Sequence, residues 1–487
     1  MILKQLLRRL GCNTDASPGV EIRAVTEDSR RVGPGSLFVA APGERVDGHA
    51  FAEQAVTAGA VAVLGDRTGI TSIAGAPYIH VAHPRRALGI AAHALAGDPT
   101  DEMTVIGVTG TNGKSSIVTM ASHILNAGAR PSACFGTLGY RIDDETIPAP
   151  HTTPFGEDLA ALFLRAKEAG ARYVAMEVSS HALEQERVAG IHFRAGAFTN
   201  LTQDHLDYHH DMETYCRAKL RLFERIEGAD AFTVVNADDP SSSRFVSASR
   251  VRCITYGGAG DCRAEKVRME LQGTRFSAVT PWGTAELSMK LLGAHNVSNA
   301  MCALAICGGC GLSLTEIATA FTTLPSVPGR FEHVDAGQDF QVIVDYAHTE
   351  DGLRNVLRAA RDLCKGRVIL VFGCGGDRDR TKRPKMAAAA AELADFSIIT
   401  SDNPRSENPD LILLDIESGM QFAGMKKDDS YTLICDRTEA IRRAITMARA
   451  GDLVMIAGKG HETYQILGSQ RIHFDDREVA RAILGER

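Results

Sequence analysis

The chain lacks most of what would tie it to a membrane, a nucleic acid or the cell exterior. No apolar run in its 487 residues is long enough to span a bilayer, so no membrane partner is expected. Residues 1–10 interleave Lys4, Arg8 and Arg9 with leucines at helical spacing, with no charge cluster ahead of an apolar block, and are not read as a secretory signal. Positive charge is not in excess either. The 53 Lys and Arg stand against 60 Asp and Glu, and a net charge of −7 argues against nucleic acid as the main partner. Eleven cysteines are scattered along the chain, as suits free thiols in a reducing cytoplasm. The one close pair, Cys307-Gly-Gly-Cys310, has no second pair to complete a zinc site and reads as a buried helix end closed by glycines. A cytoplasmic monomer working on small molecules is the expectation.

What is present begins with size. A chain of this length exceeds one core and implies several domains, and 44% hydrophobic with 23% charged residues is ordinary for a globular protein. Its organising stretch is Thr104-Val-Ile-Gly-Val-Thr-Gly-Thr-Asn-Gly-Lys-Ser-Ser116, an apolar strand, a glycine-bracketed turn and a helix start. Backbone N–H groups of such a turn can surround a polyphosphate, with Lys114 reaching the outer phosphates and Ser115 reaching Mg²⁺. The strict pattern has a glycine where this chain has Val108, so only the core Gly110-Thr-Asn-Gly113-Lys-Ser115 is met. The predicted strand before it and helix after it supply the context that makes the core a nucleotide site.

Before this stretch, residues 1–98 alternate apolar runs (36–40, 60–64, 78–81) with alanine-rich segments and form a small α/β unit. Thr26-Glu-Asp-Ser-Arg-Arg31 reads as a solvated turn or as a holder of a phosphorylated ligand, and Asp98-Pro-Thr-Asp101 as a linker. After it, Tyr173-Val-Ala-Met-Glu-Val178 puts Glu177 at the ligand-binding edge of a parallel sheet, where a buried carboxylate needs a cation; metal ligation is preferred over a structural ion pair. Asp204, His205, Asp207, His209 and His210 crowd the next loop. On the helix from Asp211 to about Ile226, Lys219 shares a stripe with Tyr215, Leu222 and Phe223. It is either a snorkelling side chain or a desolvated amine of lowered pKa. An antiparallel patch is expected over 264–292, then a helix presenting Asn296 and Asn299, and a second linker over 325–330. Four runs (342–345, 368–372, 397–400, 453–457) predict a Rossmann-like parallel sheet whose strand ends carry Asp345, Gly375 to Arg383, Asp402 to Arg405 and Gly458 to Glu462. The glycine turn at Gly375 lacks a secure acidic ribose clamp and is not read as a dinucleotide site.

Taken in order, Thr109 to Ser115, Met176 to His181, Asn200 to Asp207, Tyr215 to Lys219, His295-Asn296 and Gly329-Arg330 resemble the Mur ligases over nearly the whole chain. Asp345-Tyr-Ala-His-Thr349, Asp402-Asn-Pro-Arg405 and Gly458-Lys-Gly-His-Glu462 resemble the members that add meso-diaminopimelate. One departure is Glu350, where the family usually has proline. The resemblance implies an ATP-dependent amide ligase of peptidoglycan precursor synthesis acting through an acyl phosphate. It also implies three domains: an N-terminal UDP-substrate-binding α/β domain (1–98), a central P-loop-like ATPase domain with a mostly parallel sheet (99–328), and a C-terminal Rossmann-like amino-acid-binding domain (329–487). By the same resemblance, ATP would meet Gly110, Thr111, Asn112, Gly113, Lys114, Ser115, Ser116, Asn296, Asn299, Arg330 and Asp345. The UDP-muramoyl dipeptide would meet Ser29, Thr152, Thr153, Ser179, Gln185 and Arg187. Diaminopimelate would meet Arg378, Asp402, Asn403, Pro404, Arg405, Gly458 and Glu462. Two Mg²⁺ ions would be held by Ser115 with Glu177 and by His205 with Lys219, the lysine carrying a CO₂-derived carbamate; Lys114, Lys219 and His205 would be catalytic. Addition of L-lysine, folate polyglutamylation and a nucleotide-hydrolysing switch are the rival readings.

Overall fold

The computed structural model describes residues 1–12, 19–43, 46–270 and 273–486, which form three α/β bodies in chain order. The first holds a five-stranded sheet in the order Ala24–Thr26, Ser36–Ala40, Ala60–Gly65, Ala76–His80, Ser72–Ile73, parallel except for the last strand. The helix Pro84–Leu95 covers it and also meets the central body. There Gly89 lies so close to the chain that a Cβ on it would come within 2.4 Å of the Ala189 carbonyl oxygen.

The central sheet has eight strands in the order Arg252–Tyr256, Phe232–Asn236, Phe193–Phe198, Thr104–Thr109, Tyr173–Glu177, Ser132–Gly136, Gly139–Ile142, Glu145–Ile147. Six are parallel and the last two are added antiparallel. Thr104–Thr109 sits between two parallel neighbours and is covered on both faces, which is why it reads as an unbroken apolar run. The expected antiparallel patch is a meander of Arg263–Glu270, Gly273–Thr280 and Gly283–Met289, packed through Phe276, Ala278 and Leu287 into the core of the buried helix Ala294–Gly309. That helix ends at Cys310 with Gly311 in the left-handed region (φ 87°), and Cys307 and Cys310 are free thiols.

The third sheet has six strands where the sequence suggested four. Their order is Glu332–His333, Gln341–Asp345, Leu453–Ala457, Val368–Phe372, Phe396–Ile399, Tyr431–Leu433, all parallel but the first. Both expected linkers are packed structure. Pro99–Glu102 is a short 3₁₀ helix whose Thr100 hydroxyl accepts from the His192 N–H at 3.3 Å. Gly329 (φ 65°) crosses the Gly460 turn so tightly that a Cβ would meet the His461 nitrogen at 2.0 Å. The helix Glu350–Leu363 starts without proline: Thr349 caps it, accepting from the Gly352 N–H at 3.1 Å, and Glu350 pairs with Arg354 at 3.1 Å.

Candidate active site

The turn 110–113 is built by close approach. Gly110 (φ 146°) and Gly113 (φ 87°) occupy backbone regions that side chains resist, and a Cβ would lie 1.8 Å from Thr199 Oγ1 and 2.5 Å from Asn299 Oδ1 respectively. The Asn112 N–H donates to Asn200 Oδ1 at 2.9 Å, the Thr199 hydroxyl donates to the Asn112 carbonyl at 2.6 Å, and the Thr111 N–H donates to the Asn200 carbonyl at 2.9 Å. Helix Lys114–Ala127 then starts with its N-terminus at the turn. Val108, in place of the outer glycine, is a buried strand residue registered against Glu177 and Ala197.

Two lysines meet at this turn. Lys114 Nζ donates to the Gly110 and Thr111 carbonyls at 2.9 and 2.8 Å, and Lys219 Nζ donates to the same Gly110 carbonyl at 2.8 Å. Lys219 comes from helix Met212–Glu224, capped by Asp211, which accepts from the Thr214 N–H at 2.7 Å. Its side chain is 1% exposed, lies 4.1 Å over the Tyr215 ring and does not reach water. Burial first, then the neighbouring Lys114 charge, push the Lys219 amine well below the usual lysine range. Burial lowers Lys114 too, against the opposing pull of Glu177 and Asp204.

Glu177 ends its strand buried, accepting from the Thr137 N–H at 2.8 Å and the Thr137 hydroxyl at 3.3 Å. Ser115 Oγ accepts from Arg330 Nη2 at 3.2 Å. His205 (φ 55°) holds its Nε2 3.4 Å from Asp204 Oδ2, and burial takes its imidazole down to about 3, a neutral ring that is free to ligate. Among the described residues no three His, Cys, Asp or Glu side chains converge as a metal cluster. Ser115, Glu177 and His205 are usable donors for a hard cation, but Lys219 as an ammonium is not. The set fits Mg²⁺ if Lys219 becomes an anion.

Beside the turn lies a cleft of about 620 Å³ between the central and C-terminal bodies, and its walls include Asn112, Gly113, Ser116, Asn296, Asn299, Arg330 and Asp345. Asn296 donates to the Leu292 carbonyl at 2.8 Å and accepts from Asn299 at 3.3 Å, so one amide serves helix start and cleft wall together. Arg330 stacks 4.6 Å over Tyr346, and Asp345 is buried accepting from the Phe331 and Ala347 N–H groups, both at 2.7 Å. A larger cleft of about 920 Å³ in the N-terminal body, between Arg9 to Cys12 and His80 to Arg86, is lined by none of the expected site residues.

Of the residues expected to meet the UDP-linked substrate, five cluster. Thr153 Oγ1 donates to the Glu177 carbonyl at 2.9 Å and accepts from the Ser179 N–H at 3.1 Å. Arg187 donates to the Thr153 carbonyl at 3.1 Å and to Gln185 Oε1 at 2.6 Å, and the Thr152 and Thr137 hydroxyls are 3.0 Å apart. Ser29 is not in this cluster. It lies in the 3₁₀ turn Ser29–Arg31 of the N-terminal body, which Arg31 ties to Glu157 of the central body at 2.7 Å.

The residues expected to meet the amino acid sit at the C-terminal sheet's edge. Asn403 Nδ2 donates to Glu462 Oε2 at 2.9 Å, and Gly458 (φ 119°) passes Asp402 so closely that a Cβ would lie 2.7 Å from its carboxylate. Arg405 (φ 52°) donates to the Gly376 carbonyl at 2.8 Å, while the Pro404 carbonyl packs on Gly376. Burial and the like charge of Arg378 lower the Arg405 pKa, so an anion at these two guanidinium groups would be welcome. Three cations here are buried: Lys459, paired with Glu462 at 2.9 Å; Arg383, held by Glu407 and Asp415 at 2.8 Å each; and Arg437, paired with Asp476 at 2.8 Å. The first two lie in the polar clusters expected at the strand ends, and Arg437 lies in none of them. The two bodies are also tied across the cleft, by Asn112 to Asp351 at 2.9 Å and Gln203 to Asp379 at 2.9 Å.

Comparison with known proteins gives three family-model matches: "Mur ligase family, catalytic domain" over residues 21–95, "Mur ligase middle domain" over 108–307 and "Mur ligase, glutamate ligase domain" over 329–460. The chain is 47% identical over 495 aligned positions, covering 100% of both chains, to the UDP-N-acetylmuramoyl-L-alanyl-D-glutamate–2,6-diaminopimelate ligase of Geobacillus thermodenitrificans. It is 47% identical to the protein of the same name from Geobacillus kaustophilus, covering 96% of each. A solved structure bearing that name superposes with a TM-score of 0.71 at 31% identity, covering 100% of this chain and 99% of the other.

Proposed function

The chain belongs to the Mur ligase family, and from that premise we propose that it joins meso-diaminopimelate to UDP-N-acetylmuramoyl-L-alanyl-D-glutamate with conversion of ATP to ADP and phosphate. The observation that carries the chemistry is the meeting of Lys114 and Lys219 on one carbonyl at the mouth of the phosphate turn. The D-glutamyl carboxylate must attack the γ-phosphate of ATP, and both are anions that repel. Lys114, the turn's N–H groups and the helix N-terminus set positive charge where the two meet. Two Mg²⁺ ions, one on Ser115 and Glu177 and one on His205 and a carbamylated Lys219, would neutralise phosphate charge at the same place. The Asn296, Asn299, Arg330 and Asp345 wall would orient the nucleotide. The Thr153, Ser179, Gln185 and Arg187 cluster, one strand end away beside Glu177, would bring the carboxylate to it.

In the second half-reaction the amine of diaminopimelate displaces phosphate from the acyl phosphate and leaves an amide. The pair Arg378 and Arg405 would hold the distal carboxylate, which L-lysine does not have. The test is ADP release with each substrate omitted in turn and with L-lysine in place of meso-diaminopimelate. Release is expected only when both organic substrates are present, with strong preference for diaminopimelate. Arg405→Lys, which keeps the charge and loses the fork, should raise KM for diaminopimelate about 10- to 100-fold and leave that for ATP unchanged. ATP turnover independent of the UDP substrate, or equal rates with lysine, would refute the reading.

A further inference from the structure

Amide formation releases a proton from the attacking nitrogen, and the groups assigned above are cations, metal ligands or carboxylates committed to neighbours. Three histidines near the phosphate turn are otherwise engaged: His205 is wanted as a ligand, the His181 ring packs on His205 and Tyr208 at 4.8 and 4.2 Å, and His209 is buried with Nε2 2.9 Å from Ser180 Oγ. In the C-terminal body His461 is driven down to about 3, by burial and then by Arg330.

His348 is placed differently. It lies on the loop between strand Gln341–Asp345 and helix Glu350–Leu363, its side chain 35% exposed. Nδ1 donates to the Tyr346 carbonyl at 2.9 Å, which fixes the tautomer and leaves the Nε2 lone pair directed outward. That Nε2 faces Asp204 Oδ2 of the central body across the cleft at 3.7 Å. Asp204 is itself buried and surrounded by positive or protonatable partners, His205 at 3.4 Å and Lys382 at 3.8 Å. The His348 ring also packs on Tyr346 at 4.7 Å, and Tyr346 packs in turn on His461 of the amino-acid site at 4.9 Å. It therefore stands where the two half-sites meet, between the phosphate end around Asp204 and the amine end around His461.

We propose that His348, its ring held by the Tyr346 carbonyl, takes the proton from the attacking amine at Nε2, and that the Asp204 carboxylate facing that nitrogen balances the imidazolium that results. This rests on the ligase reading above. The amine enters neutral, its first proton left in solvent. Its lone pair forms the C–N bond as the carbonyl π pair moves to oxygen. The second proton passes from nitrogen to His348 Nε2, and collapse of the tetrahedral species breaks the C–O bond, its electron pair leaving with inorganic phosphate. The imidazolium then returns its proton to water.

Hydroxylamine, neutral at neutral pH and in need of no base, separates the two halves: it traps an acyl phosphate as a hydroxamate. His348→Asn keeps a donor toward the Tyr346 carbonyl but has nothing at Nε2, and His348→Gln puts an amide there that cannot take a proton. Both are expected to lose about 100-fold or more in amide formation with meso-diaminopimelate while forming hydroxamate within about twofold of the unsubstituted enzyme. Amide formation retained within about threefold, or both reactions lost in equal measure, overturns the proposal. Absence of hydroxamate and amide in the unsubstituted enzyme would instead overturn the ligase reading itself.

Discussion

At the scale of single residues the decisive one is Lys219. Its ammonium finds the Gly110 carbonyl as a hydrogen-bond acceptor and another lysine as its neighbour, buried from bulk solvent. A buried cation beside a like charge is unfavourable, and lowering its pKa yields a neutral nucleophilic amine. Reaction of that amine with CO₂, with loss of a proton, would turn a repelled cation into an oxygen donor for a metal. Lys219→Ala should abolish turnover to below 1% of normal, and a small carboxylate such as acetate should restore part of it by occupying the vacated space. Near-normal activity of the alanine variant would show that the side chain is structural. The sequence placed Lys219 on an apolar stripe and left its role open, because a stripe does not reveal whether the amine reaches water. Only the crossing of helix Met212–Glu224 over the phosphate turn closes that exit.

At the scale of elements, the turn 110–113 was readable because its determinants are local: a buried strand, two glycines and a lysine at a helix start. Its dependence on Thr199 and Asn299 was not, since both come from distant segments. Gly110→Ala would press a methyl group against Thr199 and force φ out of 146°. It should weaken ATP binding by tenfold or more in a calorimetric titration while circular dichroism stays unchanged; normal affinity would mean that the turn can relax. Strand Tyr431–Leu433 escaped the sequence reading because three residues are too few to show a period. The polar stretch at 26–31 gave no sign that it folds as a 3₁₀ turn around Asp28, whose carboxylate Arg30 holds down at about 2.

For the whole molecule, the buried histidines set a pH limit. His93, with both ring nitrogens lacking hydrogen-bond partners and its ring 5.7 Å from Phe163, lies where the N-terminal helix meets the central body; burial lowers it to about 4. His295 is lowered to about 4 and His461 to about 3, each chiefly by burial. Unfolded histidine binds a proton below about 6.5, whereas these folded ones stay neutral until about 4. The unfolded state therefore binds more protons in that window, and stability falls as pH drops from about 6.5 towards 4. His93→Phe should flatten the fall in melting temperature over this interval; an unchanged slope would show that His93 takes no part. Closure of the three bodies is the part least legible in sequence. Pairs such as Asp204 with His348 and Lys382 join segments that only docking brings together, and no local pattern announces them.

The reaction proposed above depends on Lys219 working as an anion beside Lys114. Carbon-13 NMR of the enzyme supplied with labelled bicarbonate and Mg²⁺ tests this most directly. A single carbamate carbon resonance, lost in Lys219→Ala and diminished as pH falls and the amine protonates, is the predicted result. A fully active enzyme whose spectrum shows no such resonance, or shows the same one without Lys219, would contradict it.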